Sequence, residues 1–102
     1  MKKYRTLLLE DVVFALTTAP EFPPERPRAK VFDRIQELFA AMKAEWKHPD
    51  LYTKMESLLA QARRDLEAGE TESGVKALSD VTKILMSNPK TGKFDESSLH
   101  DY

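Results

Sequence analysis

The positions of proline limit the fold of this 102-residue chain more than any other feature of its sequence. Proline lacks the backbone donor that a helix needs, and its ring collides with the preceding turn, so helices avoid it in their interior. Four of the six prolines lie within residues 20–27, and the others are Pro49 and Pro89. The proline-free stretches between them are long enough for helices, so the chain predicts an all-α fold.

The first of these stretches predicts a helix over about residues 3–18. Taken at about 100° per residue, its apolar residues form one broad face, which comprises Leu8, Leu9, Val12, Val13, Ala15 and Leu16. Leu7 and Phe14 lie almost opposite this face, with Tyr4 at the edge. A helix that is apolar on two sides is usually covered on both, so these three residues form a strip that calls for a covering segment or a partner. The Val-Val-Phe run at 12–14 would also suit a strand.

Residues 19–27 predict an extended, semi-rigid linker, since their four prolines exclude helix. A second helix is predicted over about residues 28–47, where a narrow apolar stripe recurs at helical spacing. The stripe comprises Val31, Phe32, Ile35, Leu38, Phe39, Met42 and Trp46. His48 and Pro49 end this helix, and Pro49 suits the first turn of the next one.

Two further helices are predicted over about residues 49–68 and 72–87. Gly69 is expected to cap the C-terminus of the earlier helix, and Thr71 the N-terminus of the later one. So short a connection makes the two helices an antiparallel hairpin. Gly74 projects onto the apolar face of the last helix, where glycine costs about 1 kcal/mol relative to alanine. We therefore expect a close approach of the third helix at this position.

Together these patterns predict a single domain over residues 1–102 with an all-α, four-helix bundle-like fold. The second, third and fourth helices form an antiparallel three-helix core. The N-terminal helix, joined by the proline-rich linker, covers the open side of that core. Residues 88–102 are expected to be an extended tail with isolated apolar anchors at Phe94, Leu99 and Tyr102. Either the linker or this tail could fold over the apolar strip of the first helix.

The chain carries little of the chemistry that catalysis needs. It has no cysteine, which excludes disulfides, thiol nucleophiles and thiolate metal ligands. The two histidines, His48 and His100, are expected to be exposed residues of a connection and of the tail, without a positioned partner. The three glycines form no phosphate-binding loop. We therefore expect no metal, no cofactor and no enzymatic activity.

Nucleic-acid binding is an alternative function. Sixteen basic and seventeen acidic residues give a net charge of −1, so binding to phosphates would need a local patch. The candidate basic patch consists of Arg26, Arg28, Lys30 and Arg34. A helix–turn–helix around Gly69 is disfavoured, because acidic residues occupy the positions that would approach the phosphates.

Membrane insertion and export are not predicted. The basic start of the chain precedes three leucines, as in a signal peptide, but Glu10 and Asp11 interrupt the apolar run. The longest uninterrupted apolar run, residues 12–16, is far shorter than the roughly 20 residues of a membrane span. With no cysteine either, the sequence favours a cytoplasmic protein.

The hypothesis that follows is a small helical module for protein–protein interaction or regulation. Tyr4, Leu7 and Phe14 form the candidate interface. The expected partner is a second copy of the chain, since two-fold homodimers are the commonest soluble assemblies. The alternative is a nucleic-acid-associated regulator that uses the basic stretch from Arg26 to Arg34.

Overall fold

The computed structural model describes residues 3–86, and within that range the regular structure is entirely helical. The four α-helices are α1 (Tyr4–Thr18), α2 (Arg28–Met42), α3 (Pro49–Glu67) and α4 (Thr71–Leu85). The predicted all-α, bundle-like fold is confirmed. The predicted tail over residues 88–102 lies outside the described residues.

The directions of the helices follow from two hydrogen bonds that join the start of one helix to the end of another. Arg5, at the start of α1, donates from Nε to the carbonyl oxygen of Leu85 at the end of α4, at 2.6 Å. Arg28, at the start of α2, donates to the carbonyl oxygen of Leu66 near the end of α3, at 3.2 Å. α1 and α4 are therefore antiparallel, and so are α2 and α3.

The core is shared by all four helices, with α1 packed against both α2 and α4. Leu8, Val12 and Ala15 of α1 are completely buried. They lie on one side of the broad apolar face that the sequence predicts. α1 is thus a full member of the bundle, in contact with the rest of the core along its length.

α2 and α3 meet through long side chains. The rings of Phe39 and Tyr52 stack with their centroids 4.1 Å apart, and the Tyr52 hydroxyl donates to the Phe39 carbonyl oxygen at 3.0 Å. Toward the start of α2, Arg63 Nη2 of α3 lies 3.1 Å from Asp33 Oδ1. Arg63 Nη1 donates to Gln36 Oε1 at 3.0 Å. These contacts close the seam between the two helices.

The predicted end of the second helix is wrong. α2 stops at Met42, and a short 3₁₀ turn (Lys43–Glu45) follows it. Trp46 is extended, so it leaves the helical stripe to which its spacing assigns it. Pro49 disfavours helical geometry at the residue before it, so His48 is extended and the chain cannot return to a helix between Trp46 and Pro49.

The linker also differs from its prediction, because it contains turns and folds against the bundle. The amide of Glu21 donates to the Thr18 carbonyl oxygen, and the amide of Arg26 donates to that of Pro23, both at 3.0 Å. Phe22 packs against the core. Proline at the second position of a turn is pre-set for it, which explains why residues 23–26 turn rather than extend.

The connection between α3 and α4 confirms one predicted cap and corrects the other. Gly69 has a φ of 81°, and its amide and that of Glu70 bond to the carbonyls of Leu66 and Asp65 at 3.3 and 2.7 Å. This pair of bonds is a Schellman cap, which needs a residue without a Cβ. Thr71 is the first residue of α4 and not its N-cap, since α4 starts one residue earlier than predicted.

Gly74 of α4 lies close to Leu66 and Ala62 of α3, as expected. A Cβ at position 74 would lie 2.7 Å from Leu66 Cγ and 3.3 Å from the Ala62 carbonyl oxygen. We expect Gly74→Ala to lower the free energy of unfolding by about 1–2 kcal/mol, because overpacking outweighs the helix propensity that alanine adds. Urea unfolding measures the change, and exposed Ser57→Ala should leave stability nearly unaltered. A Gly74→Ala protein as stable as wild type would contradict this packing.

Tyr52 makes the seam between α2 and α3 sensitive to alkaline pH. Burial, with a smaller contribution from the Glu56 carboxylate, raises the pKa of Tyr52 above its ordinary value of 10.0. A folded pKa above the unfolded one means that the neutral phenol stabilises the fold below about pH 10 and that this contribution is lost as pH rises through the folded pKa. In urea unfolding at increasing pH, wild type should lose stability more steeply than Tyr52→Phe. Equal slopes would contradict this assignment.

Candidate functional site

The three residues of the predicted interface are unequally accessible. The side chain of Tyr4 is 46% exposed, whereas Leu7 and Phe14 are half-buried and pack against the core. The guanidinium carbon of Arg26, in the linker, lies 3.8 Å from the centroid of the Phe14 ring. Of the two coverings that the sequence leaves open, the linker therefore covers Phe14. The apolar tail anchors lie outside the described residues.

A second strip on α1 is more accessible than its sequence pattern indicates. Val13 is 40% exposed, and its neighbours on the same side, Leu9 and Leu16, are half-buried at the margin of the core. All three belong to the broad face predicted to be buried. The face is wider than the groove between α2 and α4, so its far edge emerges from the bundle. We refer to Leu9, Val13 and Leu16 as the apolar stripe.

Asp11 holds α1, the linker and α2 together. Its side chain is nearly buried, and Arg34 Nε donates to its Oδ2 at 2.7 Å while an Arg26 guanidinium nitrogen lies 3.5 Å from its Oδ1. Burying a carboxylate is costly unless cations or donors compensate it, so the two arginines are what permit Asp11 to sit there. In the sequence, Asp11 signals only an interruption of an apolar run.

The contacts of Asp11 also limit the positive charge that the predicted basic patch can present to a nucleic acid. Arg26 and Arg34 pair with Asp11, and Arg28 donates to the Leu66 carbonyl oxygen. Lys30 is exposed. Two of the four cations of this patch therefore share one carboxylate of the same chain, and the sequence alone does not reveal that contact.

A second buried acid, Asp80, lies in α4, and it is not among the residues that the sequence analysis singles out. It is completely buried and is not left without a partner. The signal for it exists in the sequence, because Asp80 follows Ala77 by three residues and precedes Ile84 by four. That spacing places it on the apolar face of the helix.

A basic pocket lies where the start of α1 meets the segment between α2 and α3. Its volume is about 350 Å³, and its lining residues are Lys3, Arg5, Ala44, Glu45, Trp46, Lys47 and His48. No pattern in the sequence announces it, because two lining residues lie some forty positions away from the other five. Only packing of α1 against the bundle brings the two groups together.

The basic pocket combines the guanidinium of Arg5 with the rings of Trp46 and His48. The Arg5 guanidinium carbon lies 5.3 Å from the centroid of the Trp46 ring, and burial lowers the pKa of Arg5. Trp46 Nε1 and His48 Nε2 are buried and make no hydrogen bond within the part of the chain that the structure describes. His48 is half-buried, so the prediction of an exposed connecting residue is wrong. Its backbone before Pro49 is extended, and His48 lines the basic pocket together with Lys3 and Arg5.

Within residues 3–86, no three His, Asp or Glu side chains gather in a way that could hold a metal ion. In the same range, no helix combines the length and the apolar character needed to cross a membrane. Comparison with known proteins finds no matching family model, no matching curated protein and no matching solved structure.

The contacts of Asp11 with Arg26 and Arg34 are expected to stabilise the fold. We expect Asp11→Asn to lower the free energy of unfolding by about 1–2 kcal/mol, because charge-assisted bonds to two arginines are lost and those arginines are partly screened by water. Asp33→Asn is the matched control, since its ion pair with Arg63 is more exposed and should contribute less. Urea unfolding compares the two. Equal effects would show that the Asp11 contacts are ordinary surface pairs.

Proposed function

We propose that the protein is a small interaction or regulatory module that self-associates through the apolar stripe of α1. The observation that carries the proposal is the 40% exposure of Val13 between half-buried Leu9 and Leu16. Spacings of four and three residues are those of the contact seam between paired helices. Burying this stripe in an interface removes apolar surface from water, which drives association. The proposal includes the cytoplasmic location expected from the sequence.

A second copy of the chain is the partner that fits this stripe best. The net charge of −1 gives little repulsion between copies, and the outer side of α1 carries few charges. In an antiparallel pair centred near Val13, Leu9 of one copy faces Leu16 of the other. The same arrangement keeps the two Glu10 carboxylates away from the two-fold axis. The stripe is thus self-complementary, as a two-fold interface requires.

The proposed interface lies on a different flank of α1 from the one that the sequence suggests. Leu7 and Phe14 already pack within the molecule, and Arg26 lies over Phe14. Tyr4 is exposed, but it is on the opposite flank of α1 from Val13. A variant at each position therefore distinguishes the two flanks.

The test is the solution mass of the protein over a wide range of concentration, measured by sedimentation equilibrium. We expect wild type to dimerise and Val13→Glu to weaken the dimer at least about tenfold, which is 1.4 kcal/mol, because a carboxylate would have to be desolvated in the interface. Ala41→Glu adds the same charge at an exposed position of α2 and should leave the dimer unaltered.

Two results would reject this interface. One is a wild-type protein that remains monomeric at every concentration. The other is a dimer that Tyr4→Ser weakens and Val13→Glu does not, which would return the interface to the flank of Tyr4, Leu7 and Phe14. Circular dichroism of each variant verifies that the helices are retained.

Nucleic-acid binding by Arg26, Arg28, Lys30 and Arg34 receives less support from the contacts of these residues. Two of the four cations are paired with Asp11, and a phosphate would have to compete with that carboxylate. Retention on DNA or RNA that falls with salt, and that is lost on replacing these arginines, would favour it over the proposal.

A further inference from the structure

We propose that the basic pocket at the start of α1 binds a small organic phosphate, with the phosphate among its cations and an apolar ring against Trp46. Among the described residues that line the pocket, Lys3, Arg5 and Lys47 are basic and Glu45 is acidic. This site is separate from the apolar stripe and does not depend on self-association.

The charge of the pocket favours a phosphate over a carboxylate. Among the described residues of the lining, three are basic and one is acidic, so the lining carries an excess of two positive charges. A phosphomonoester carries about −1.5 to −2 at neutral pH, which matches this excess. A single carboxylate would neutralise only part of it.

The size of the pocket sets the size of the ligand. Ligand-binding pockets typically have volumes of about 300–1,000 Å³, and this one, at about 350 Å³, lies at the lower end. It has room for a phosphate and one ring, but not for an extended ligand such as a dinucleotide. Trp46 is the aromatic surface available to that ring.

The nitrogens of Trp46 and His48 are a second and independent reason to expect a ligand. Both are buried, and neither has a hydrogen-bond partner among residues 3–86. An unsatisfied buried donor costs about 1–3 kcal/mol, and native proteins usually satisfy such groups with a protein group, a water or a ligand. The oxygens of a phosphate accept several hydrogen bonds at once. Because both nitrogens are buried, engaging them requires the two rings to turn toward the pocket.

Arg5 contributes a cation that is already held in place. Its Nε donates to the Leu85 carbonyl oxygen at 2.6 Å, and its guanidinium lies over the Trp46 ring. Burial disfavours the charged form of Arg5, as the lowered pKa reflects, and a bound anion would offset that penalty. Lys3 and Lys47 are exposed, so they can adjust to the ligand without disturbing the core.

Trp46 is the single tryptophan of the chain, so its fluorescence reports directly on this pocket. The experiment titrates the full chain with phenyl phosphate at constant ionic strength and follows the tryptophan emission. We expect a saturable change, since binding turns the Trp46 ring. The double variant Lys3→Gln/Lys47→Gln should weaken binding at least about tenfold, because two of the cations that face the phosphate are removed.

The matched control is Lys54→Gln/Lys76→Gln, which changes the net charge equally at two exposed lysines that do not line the pocket. It should bind as wild type does. Phosphorus NMR line broadening of phenyl phosphate gives a second readout that is independent of tryptophan, and circular dichroism verifies that each variant folds. Val13→Glu should also bind as wild type does, which separates this proposal from the proposed self-association.

Three results would overturn the proposal. The first is the absence of saturation with phenyl phosphate in both readouts. The second is an equal response to benzyl alcohol, which would show that the ring binds without any contribution from the phosphate. The third is equal weakening by the two double variants, which would reduce the effect to the overall charge of the protein.

Discussion

The burial of α1 between α2 and α4 is the interaction on which the rest of the structure depends. α3 and α4 form a tight hairpin, but α2 meets α3 through long side chains, so α1 is what joins α2 firmly to the hairpin. Leu8, Val12 and Ala15 supply that junction, and none of them is accessible to water. Removing apolar surface of this kind from water is the dominant favourable contribution to folding.

The carboxylate of Asp11 is buried together with this apolar face, and its contacts with two arginines position the linker and α2 around it. Asp11 follows Leu8 by three residues and precedes Ala15 by four, so a helix that buries both must bring Asp11 close to the core. Arg34 of α2 and Arg26 of the linker converge on it. The linker consequently turns back over α1 and covers Phe14. One buried charge thus explains why the linker is folded and why the basic patch is partly neutralised.

The apolar stripe and the basic pocket, which we propose to be functional, both result from the way α1 packs against the other helices. The apolar stripe exists because the apolar face of α1 is wider than the groove that receives it, so Val13 emerges. The basic pocket exists because the start of α1 brings Lys3 and Arg5 to the segment that carries Trp46 and His48. The first surface suits a partner that is apolar and nearly uncharged, whereas the second suits a small anion. Their different chemistry allows them to act independently of each other.

Much of the architecture is readable from the sequence, because proline positions and helical periodicity act locally. They predict four helices, and the positive φ of Gly69 and the crowding at Gly74 confirm what those glycines imply. Periodicity fails where a neighbour decides the outcome. It places Trp46 on a helix that ends earlier and Val13 among buried residues, since spacing shows which side chains share a face but not how much of that face is covered.

The sequence by itself determined the class of fold and the order of its helices, because backbone sterics and the spacing of apolar side chains are properties of short segments. The tertiary structure alone decided that Asp11 meets two arginines and that Lys3 and Arg5 meet Trp46 and His48. These groups are separated along the chain, and electrostatic and packing contacts between them form only when the core brings their helices together.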